Sequence, residues 1–169
     1  VGQMIGLVLA AVAAAAAVWT PQTSGSTAEL RGIAVHDSTR AWATGAEGTV
    51  LRTRDGGRRW EKMPVPGGET LDFRDVEILA DNTVLILASG PGELSRIYRS
   101  TDDGKTWTLV HTNPDKDGFY DAIAFWDANR GVVLGDPING YFVIRVTDDG
   151  GRTWAAPPPT GRSPSCSPS

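Results

Sequence analysis

The stretch TRDGGRRW at residues 53–60 returns as STDDGKTW at 100–107 and as TDDGGRTW at 147–154. Each copy fits the pattern Ser/Thr-x-Asp-x-Gly-x-x-Trp, and successive copies are 47 residues apart. A fixed period of this length is typical of repeat architectures, in which each repeat is one supersecondary unit. The pattern therefore predicts three structural repeats. The repeated positions are Thr53, Asp55, Gly57, Trp60, Ser100, Asp102, Gly104, Trp107, Thr147, Asp149, Gly151 and Trp154.

Short apolar segments separated by turn residues surround each copy, and they predict strands. The central segments TVLILASG and RGVVLGDP are apolar without alternation, which favours sheets buried on both faces. Four strands per unit and a period in the forties predict an all-β fold, a β-propeller of four-stranded antiparallel blades. A β-sandwich is the structural alternative. The third unit has predicted strands at 119–126, 131–135, 141–147 and 153–156.

The predicted propeller covers residues 20–156 and contains three blades. A propeller has typically 4 to 8 blades, so three would leave apolar blade faces exposed. We therefore expect the blades to belong to a truncated ring whose missing blades are supplied by further chain. The predicted blades span about 28–66, 67–112 and 113–156.

The chemistry of a tight hairpin turn accounts for the special residues of each copy. An aspartate side chain accepts hydrogen bonds from turn amides, and glycine adopts a positive φ without steric cost. A catalytic carboxylate is expected once in a protein, whereas this one recurs in every unit, so we interpret it as structural. Asp102 is the repeated turn-capping residue. Asp103 stands where the other copies have Gly56 and Gly150, and we expect its removal to have little effect.

Charge and metal-ligand content narrow the functional classes. The chain has 20 acidic and 16 basic residues, interspersed, and their pattern predicts no nucleic-acid surface. The single cysteine, Cys166, can neither pair internally nor build a thiolate metal site. The loop at 113–118 has calcium-loop spacing, but Ala124 stands where an EF-hand requires glutamate. A calcium site there is the alternative to a plain solvated loop, and we predict neither a metal nor a cofactor.

The two ends of the chain differ in composition from the repeats. Residues 5–18 are an unbroken apolar run, and Ala15 and Ala17 supply the small residues of a cleavage site. The run is shorter than the 18 or more apolar residues expected of a membrane-spanning helix. Residues 1–19 are therefore predicted to be an export signal, with an N-terminal anchor as the alternative. Residues 157–169 are rich in Pro and Ser and are predicted to be a disordered or out-of-frame tail.

The three copies resemble Asp-boxes, also called BNR repeats, which occur in several propeller families. Together with the strings LDFRDVEIL, SRIYRSTDDGKTW and GFYDAIAFWDANRGVVLGDP, they resemble the photosystem II stability/assembly factor-like propellers. This resemblance implies a seven-bladed, non-enzymatic scaffold that binds a protein partner, a photosystem II subunit, on the lumenal side of the thylakoid membrane. It places the protein outside the cytoplasm, in the periplasm, in the medium or in a thylakoid lumen.

Candidate partner-binding residues follow from the resemblance and from the strand pattern. Arginines contribute to the binding surface in photosynthetic members of the family, and this chain has only three lysines among its basic residues. Asp75 and Asp121 are expected at equivalent positions, where the first unit has Gly32, bonding to a neighbouring blade or lining the central channel. The candidate partner-binding residues are Arg31, Arg74, Asp75 and Asp121. For the arginines, the alternative is that they are charges on solvated edge strands that deter edge-to-edge pairing.

The alternative function is a sialidase-type glycoside hydrolase, because such enzymes carry the same Asp-boxes. They need an arginine cluster, a tyrosine nucleophile with a glutamate partner, and an aspartic acid. The three tyrosines, Tyr98, Tyr120 and Tyr141, all lie in predicted strands, and the Arg-Ile-Pro string that often opens sialidase domains is absent. Since function has to be argued from a site and not from a fold, no catalytic residue is predicted.

Overall fold

The computed structural model describes residues 20–79 and 82–158, which form three antiparallel sheets. The first sheet contains β1 (Leu30–Val35), β2 (Ala41–Gly45), β3 (Thr49–Thr53) and β4 (Glu61–Lys62), in that order. The second contains β5 (Asp72–Ile78), β6 (Val84–Ser89), β7 (Arg96–Ser100) and β8 (Thr108–Thr112), in that order. The third contains β9 (Tyr120–Phe125), β10 (Gly131–Ile138) and β11 (Tyr141–Thr147), with β10 central. The predicted all-β fold with antiparallel blades is confirmed.

The third sheet differs from its prediction in two places. Strand β10 does not end at residue 135, because a register shift after Gly135 lets it continue to Ile138 and a two-residue turn. Asn139 and Gly140 form that turn with φ values of 54° and 82°, as a type I′ hairpin requires. The predicted fourth strand at 153–156 is reduced to one bridge between Val146 and Ala155. The prolines that follow have no amide donor for a longer ladder.

The central strand β6 is buried at all six residues, as expected for a sheet covered on both faces. Val84 and Ile86 pack into an apolar layer shared with the first sheet. Leu85 and Leu87 point the other way, into a second layer shared with the third sheet. The second sheet is therefore the common wall of two cores.

The outer faces of the first and third sheets carry exposed apolar side chains. Ile33 and Val35 are each 69% exposed on the first sheet, and Phe142 is 54% exposed on the third. Apolar sheet faces of this kind are what a truncated ring leaves uncovered. The number of blades in the complete ring stays a prediction, and so do the domain limits. The predicted signal at 1–19 and most of the predicted tail at 157–169 lie outside the described residues.

Each Asp-box is a hydrogen-bonded turn. In the second copy, the Ser100 hydroxyl donates to Asp102 Oδ1 at 2.8 Å and accepts from the Gly104 amide at 2.9 Å. Asp102 Oδ1 also accepts the Thr106 amide at 2.9 Å, and its Oδ2 accepts the Thr106 hydroxyl at 2.7 Å. The first and third copies repeat the hydroxyl-to-carboxylate and amide bonds. The repeated aspartate therefore caps backbone amides of the turn.

The box glycine has a second role that the sequence pattern did not show. A side chain at Gly104 would overlap the indole ring of Trp42 in the first sheet, and one at Gly151 would overlap Leu85 in the second. The Trp107 ring also stands edge-on to Trp42, with ring centroids 6.0 Å apart. The box turn is therefore pressed against the preceding blade, and its glycine is needed for that close approach as well as for its positive φ.

We expect Asp102 to contribute stability that depends on pH. Hydrogen bonds from the amide and hydroxyl of Thr106 lower the pKa of Asp102 to about 2, compared with about 3.9 in an unfolded chain. A lowered folded-state pKa means that the stabilisation is present above about pH 4 and is lost as the pH falls toward about 2. The Asp102→Asn variant should melt at a lower temperature than wild type at pH 7. That difference should shrink between pH 4 and pH 2 in thermal melts followed by circular dichroism.

The exposed residue Asp148 supplies the matched control, because it has the same charge at a non-repeated position of the third Asp-box. Asp148→Asn should melt within a degree or so of wild type across the same pH range. A gap between wild type and Asp102→Asn that stays constant from pH 7 to pH 2 would contradict the assigned hydrogen bonding.

Candidate functional site

The first strands of the three sheets meet along one line. Strand β1 contacts β5, and β5 contacts β9, although they belong to different sheets. In a propeller the strands that meet in this way surround the central axis. We call the end of the sheets where these three strands begin the strand-start edge. Each Asp-box follows the third strand of a sheet, so the boxes lie at the opposite end, the Asp-box edge.

A β-bulge near the beginning of each inner strand places a charged residue there. The pairing register shifts across Arg31 in β1, across Arg74 in β5, and at the corresponding point of β9, where Asp121 lies. A bulged residue leaves the ladder and its side chain is re-aimed. The structure therefore gives three of the four candidate partner-binding residues the same position in successive blades.

The expected equivalence of Asp75 and Asp121 is wrong by one residue. Phe73 and Tyr120 are both fully buried and occupy matching positions, which makes Asp75 the counterpart of Ala122. Asp75 instead joins two sheets, since its Oδ2 accepts the Ile123 amide of β9 at 3.0 Å. The two Phe-x-Asp strings in the sequence suggested an offset of 46 residues, whereas the burial pattern of the strands follows 47.

Each bulged arginine pairs with a carboxylate of the next sheet. Arg31 Nε donates to Asp72 Oδ1 at 2.8 Å, and its Nη2 donates to Glu29 Oε2 at 3.1 Å. Arg74 Nη1 lies 3.6 Å from Asp121 Oδ1, which is a looser pair. An arginine of one blade is therefore paired with a carboxylate of the next at both interfaces along the strand-start edge.

Arg74 is the most accessible of these cations. Its side chain is 43% exposed, and the guanidinium carbon lies 5.6 Å from the centre of the Phe119 ring. Cation–π contact holds the guanidinium plane while its N–H groups stay available to a ligand. A guanidinium presents five donors in a fixed fork, and the long contact with Asp121 engages few of them.

Asp121 is in an environment that disfavours its charged form. Burial and the neighbouring Asp136 carboxylate raise the pKa of Asp121, and Arg74 opposes this effect. Asp136 lies at the β10 bulge, and its amide donates to the Phe119 carbonyl at 2.9 Å. The edge thus combines a stacked guanidinium with two adjacent carboxyl groups.

The Asp-box edge contains an ion network that joins the first two sheets. Arg52 is only 7% exposed, and its Nη1 donates to Asp103 at both the backbone oxygen, 2.5 Å away, and Oδ2, 3.0 Å away. Glu61 Oε2 accepts from Arg52 Nη2 at 2.5 Å, and Arg54 binds the same Asp103 carboxylate. The expectation that Asp103 does little is therefore not supported: its carboxylate neutralises a buried arginine of the preceding blade.

Other candidate groups have structural roles in the described part of the chain. The Tyr120 hydroxyl lies 2.9 Å from His111 Nε2, and the Tyr98 hydroxyl donates to the Gly67 carbonyl at 3.2 Å. In the loop at 113–118, Asn113 Oδ1 accepts the Asp115 amide, so that oxygen caps the backbone. Within residues 20–79 and 82–158 no three His, Cys, Asp or Glu side chains form a group able to hold a metal ion.

No helix among the described residues has the length and apolar character needed to cross a membrane.

Comparison with known proteins identifies the family. The family model described as "Photosynthesis system II assembly factor YCF48" matches residues 11–158. The chain belongs to this family. The resemblance inferred from the Asp-boxes and flanking strings is thereby confirmed.

Two solved YCF48 structures are similar to the chain. YCF48 bound to D1 peptide is 25% identical with a TM-score of 0.62, and the match covers 77% of this chain and 40% of that chain. YCF48 from Cyanidioschyzon merolae is 26% identical with a TM-score of 0.58, covering 76% of this chain and 37% of that chain. The chain therefore spans about two fifths of the YCF48 structures that it matches.

Glycoside hydrolases are also similar to the chain. The xyloglucanase Xgh74A of Acetivibrio thermocellus is 31% identical, in a match covering 66% of this chain and 16% of the enzyme. The crystal structure of an ancestral GH74 enzyme has a TM-score of 0.56 at 14% identity, covering 74% of this chain and 18% of that chain, and this match supports the fold alone.

The ion network predicts that Asp103 is a stability residue. Asp103→Ala should lower the free energy of unfolding by about 2 kcal/mol, because it removes a partner from the buried Arg52. The loss should be smaller than the 3–5 kcal/mol typical of a fully buried pair, because Glu61 still pairs with Arg52. Urea unfolding followed by fluorescence measures it. Asp148→Ala removes an equally charged, exposed side chain and should change the free energy by less than about 0.5 kcal/mol.

Equal effects of Asp103→Ala and Asp148→Ala would mean that the network contributes nothing to stability.

Proposed function

We propose that the chain is part of a propeller that binds a segment of a protein partner, a subunit of a photosystem II-type membrane complex, during assembly of that complex. The observation that carries the proposal is the row of bulged residues Arg31, Arg74 and Asp121 on adjacent inner strands. A bulged position directs a side chain away from the ladder without disturbing the blades. Such a row presents charge to a ligand from a rigid framework.

Arg74 is the proposed anchor of the bound segment. It is accessible, stacked on Phe119, and only loosely paired with Asp121. A carboxylate or backbone carbonyl of the partner can displace that loose contact and form short charge-assisted hydrogen bonds. Arg31 is already bonded to two carboxylates, which suits it to holding the first two sheets together.

Family membership supports this proposal. The chain belongs to the YCF48 assembly-factor family, and one similar structure is that of YCF48 with a D1 peptide. The match covers 40% of that protein, so the partner is proposed for this chain and not transferred to it. A photosystem II subunit is the proposed partner in a photosynthetic host.

A glycoside hydrolase is the competing function, favoured by the identity to the xyloglucanase. Catalytic carboxyl pairs in such enzymes stand roughly 5 to 9.5 Å apart, with sugar or water between them. Asp121 and Asp136 are one neighbouring carboxyl pair in the described residues, and Arg74 Nη1 lies 3.6 Å from Asp121 Oδ1. Two of the three tyrosine hydroxyls are already hydrogen-bonded inside the protein, to His111 and Gly67. These contacts favour binding over sialidase or xyloglucanase chemistry.

We also propose that the protein is exported, on the strength of the apolar run at 5–18 and its Ala15 and Ala17 cleavage pattern. A location outside the cytoplasm suits a binding partner on the lumenal side of a membrane. It also suits a repeat region that contains no cysteine.

The binding proposal predicts that Arg74→Glu weakens binding of the D1 peptide at least tenfold, because a carboxylate would replace the proposed cation. Fluorescence anisotropy of the labelled peptide with the full chain measures the affinity. Arg58→Glu makes the same charge change at the Asp-box edge, on an exposed residue, and should leave the affinity within about twofold. Equal losses in the two variants would indicate a nonspecific charge effect and contradict the assigned surface.

The same preparation tests the enzymatic alternative. We expect no release of reducing sugar from xyloglucan and no hydrolysis of a fluorogenic sialoside. Turnover of either substrate that survives Arg74→Glu, without peptide binding, would replace the binding proposal with the hydrolase.

The export proposal predicts that residues 1–27, placed after a start methionine and fused to alkaline phosphatase, produce active enzyme in Escherichia coli. This reporter is active only outside the cytoplasm, where its disulfides form. A control fusion with Asp in place of three central alanines of the apolar run should be inactive. Activity in both fusions, or in neither, would contradict export directed by this segment.

A further inference from the structure

The two interfaces between sheets are built alike at the Asp-box edge. Arg52 in β3 and Arg99 in β7 are 47 residues apart and occupy the same place in successive blades. Arg52 Nη1 donates to the Asp103 carbonyl at 2.5 Å, and Arg99 Nε donates to the Gly150 carbonyl at 2.9 Å. In both interfaces an arginine therefore binds the backbone of the next blade's Asp-box.

The interfaces differ in what neutralises the arginine. At the first interface, the Asp103 carboxylate forms ion pairs with the guanidinium groups of both Arg52 and Arg54. At the second interface, the residue equivalent to Asp103 is Gly150, which has no side chain. The carboxylate that completes the first interface is missing from the second.

Two cations and one backbone carbonyl lie close to Gly150. A Cβ atom placed on Gly150 would lie 2.9 Å from the Ala128 carbonyl oxygen, 3.6 Å from Arg152 Nη1 and 4.0 Å from Arg99 Nη2. A cavity of about 320 Å³ opens beside these groups, and its wall includes the threonines Thr101, Thr106 and Thr108. A carboxylate in this cavity can reach guanidinium donors on two sides.

The positive charge here is not balanced by an ion pair within the described residues. Neither Arg99 nor Arg152 has a carboxylate within 4.0 Å in residues 20–79 and 82–158. Burial and the neighbouring charge of Arg152 lower the pKa of Arg99, while Asp149 opposes this effect. Two neighbouring guanidinium groups, one of them partly buried, favour binding of an anion.

We propose that Arg99 and Arg152 form a carboxylate-binding site at the Asp-box edge, with the contact between Asp103 and Arg52 in the first interface as the internal template for Arg99. The ligand class is a carboxylate, borne by an acidic residue of a partner protein or by a small organic acid. The site lies at the opposite end of the sheets from Arg74, so it does not depend on the proposed peptide surface.

Titration of the ¹⁵N-labelled full chain tests the site through the Gly150 amide resonance. The probes are sodium acetate and a blocked Gly-Glu-Gly peptide, with blocked Gly-Gln-Gly and sodium chloride as matched controls. We expect saturable shifts with the two carboxylates and none with the controls. Tighter binding of the glutamate peptide than of acetate would identify a protein residue as the ligand, and equal affinities would identify a small carboxylate.

Arg152→Gln should weaken both carboxylates at least tenfold. This side chain is exposed, and among residues 20–79 and 82–158 its one hydrogen-bond acceptor is the carbonyl of Asp149 in its own turn, so the fold should tolerate the change. Arg58→Gln removes a positive charge from the equivalent place in the first Asp-box, which contributes no residue to this cavity, and should leave both affinities within twofold. No saturable carboxylate response in wild type, or equal losses in the two variants, would overturn the proposal.

A carboxylate introduced at residue 150 gives an independent test of the site. Asp and Asn at residue 150 carry the same steric cost against the Ala128 carbonyl, and Asp103 shows that Asp accepts a positive φ at this place. Gly150→Asp should therefore melt a few degrees higher than Gly150→Asn at low salt, and the gap should close in 1 M salt. Equal melting temperatures at low salt would show that the site does not favour a carboxylate.

Discussion

The apolar side chains on both faces of the second sheet can leave water only if another sheet stacks on each face. Strand β6 places Val84 and Ile86 on one side and Leu85 and Leu87 on the other, and all four are fully buried. At roughly 25 cal/mol per Å² of apolar surface, burial of such strands is the main favourable contribution to folding. The turns and ion pairs between blades then determine how the neighbouring sheets pack against these two apolar layers.

The Asp-boxes determine that fit at one end of the sheets. Their hydrogen bonds close the turn, their glycines let the turn approach the preceding blade, and an arginine of that blade reaches the turn carbonyl. Trp107 adds an edge-on contact with Trp42 across the same interface. The repeat is therefore a unit of attachment between blades as well as a local turn.

Much of this architecture is predictable from the sequence, because the repeat period, the doubly apolar central strands and the turn residues all indicate the same fold. The sequence-based predictions fail where a bulge shifts the strand register or where a side chain contacts another blade. The bulge in β10 carries that strand past the Asp136–Pro137 pair, which resembles a turn in the sequence. Asp75 and Asp121 each stand two residues after a phenylalanine in the sequence. The burial of Phe73 and Tyr120 shows, however, that the two aspartates occupy different positions in their strands.

Contacts between blades are the least visible in a sequence. Asp103 replaces a glycine of the other copies, which suggested an unimportant position, but it faces Arg52 across 51 residues of chain. No local pattern reports such a contact, because it depends on how two sheets are stacked. Comparison of equivalent positions in successive blades finds this contact once the structure is known. The same comparison shows that Gly150 stands where Asp103 would supply a carboxylate to Arg99.

The bulges of the inner strands have a consequence for how this surface can evolve. A residue outside the ladder contributes little to strand pairing, so its identity can change while the blade remains intact. The chain already shows this freedom, with arginine at residues 31 and 74 and aspartate at residue 121 in equivalent bulges. The charge of each blade can thus change without the others. The strand-start edge is therefore a row of independently variable charges on a constant scaffold.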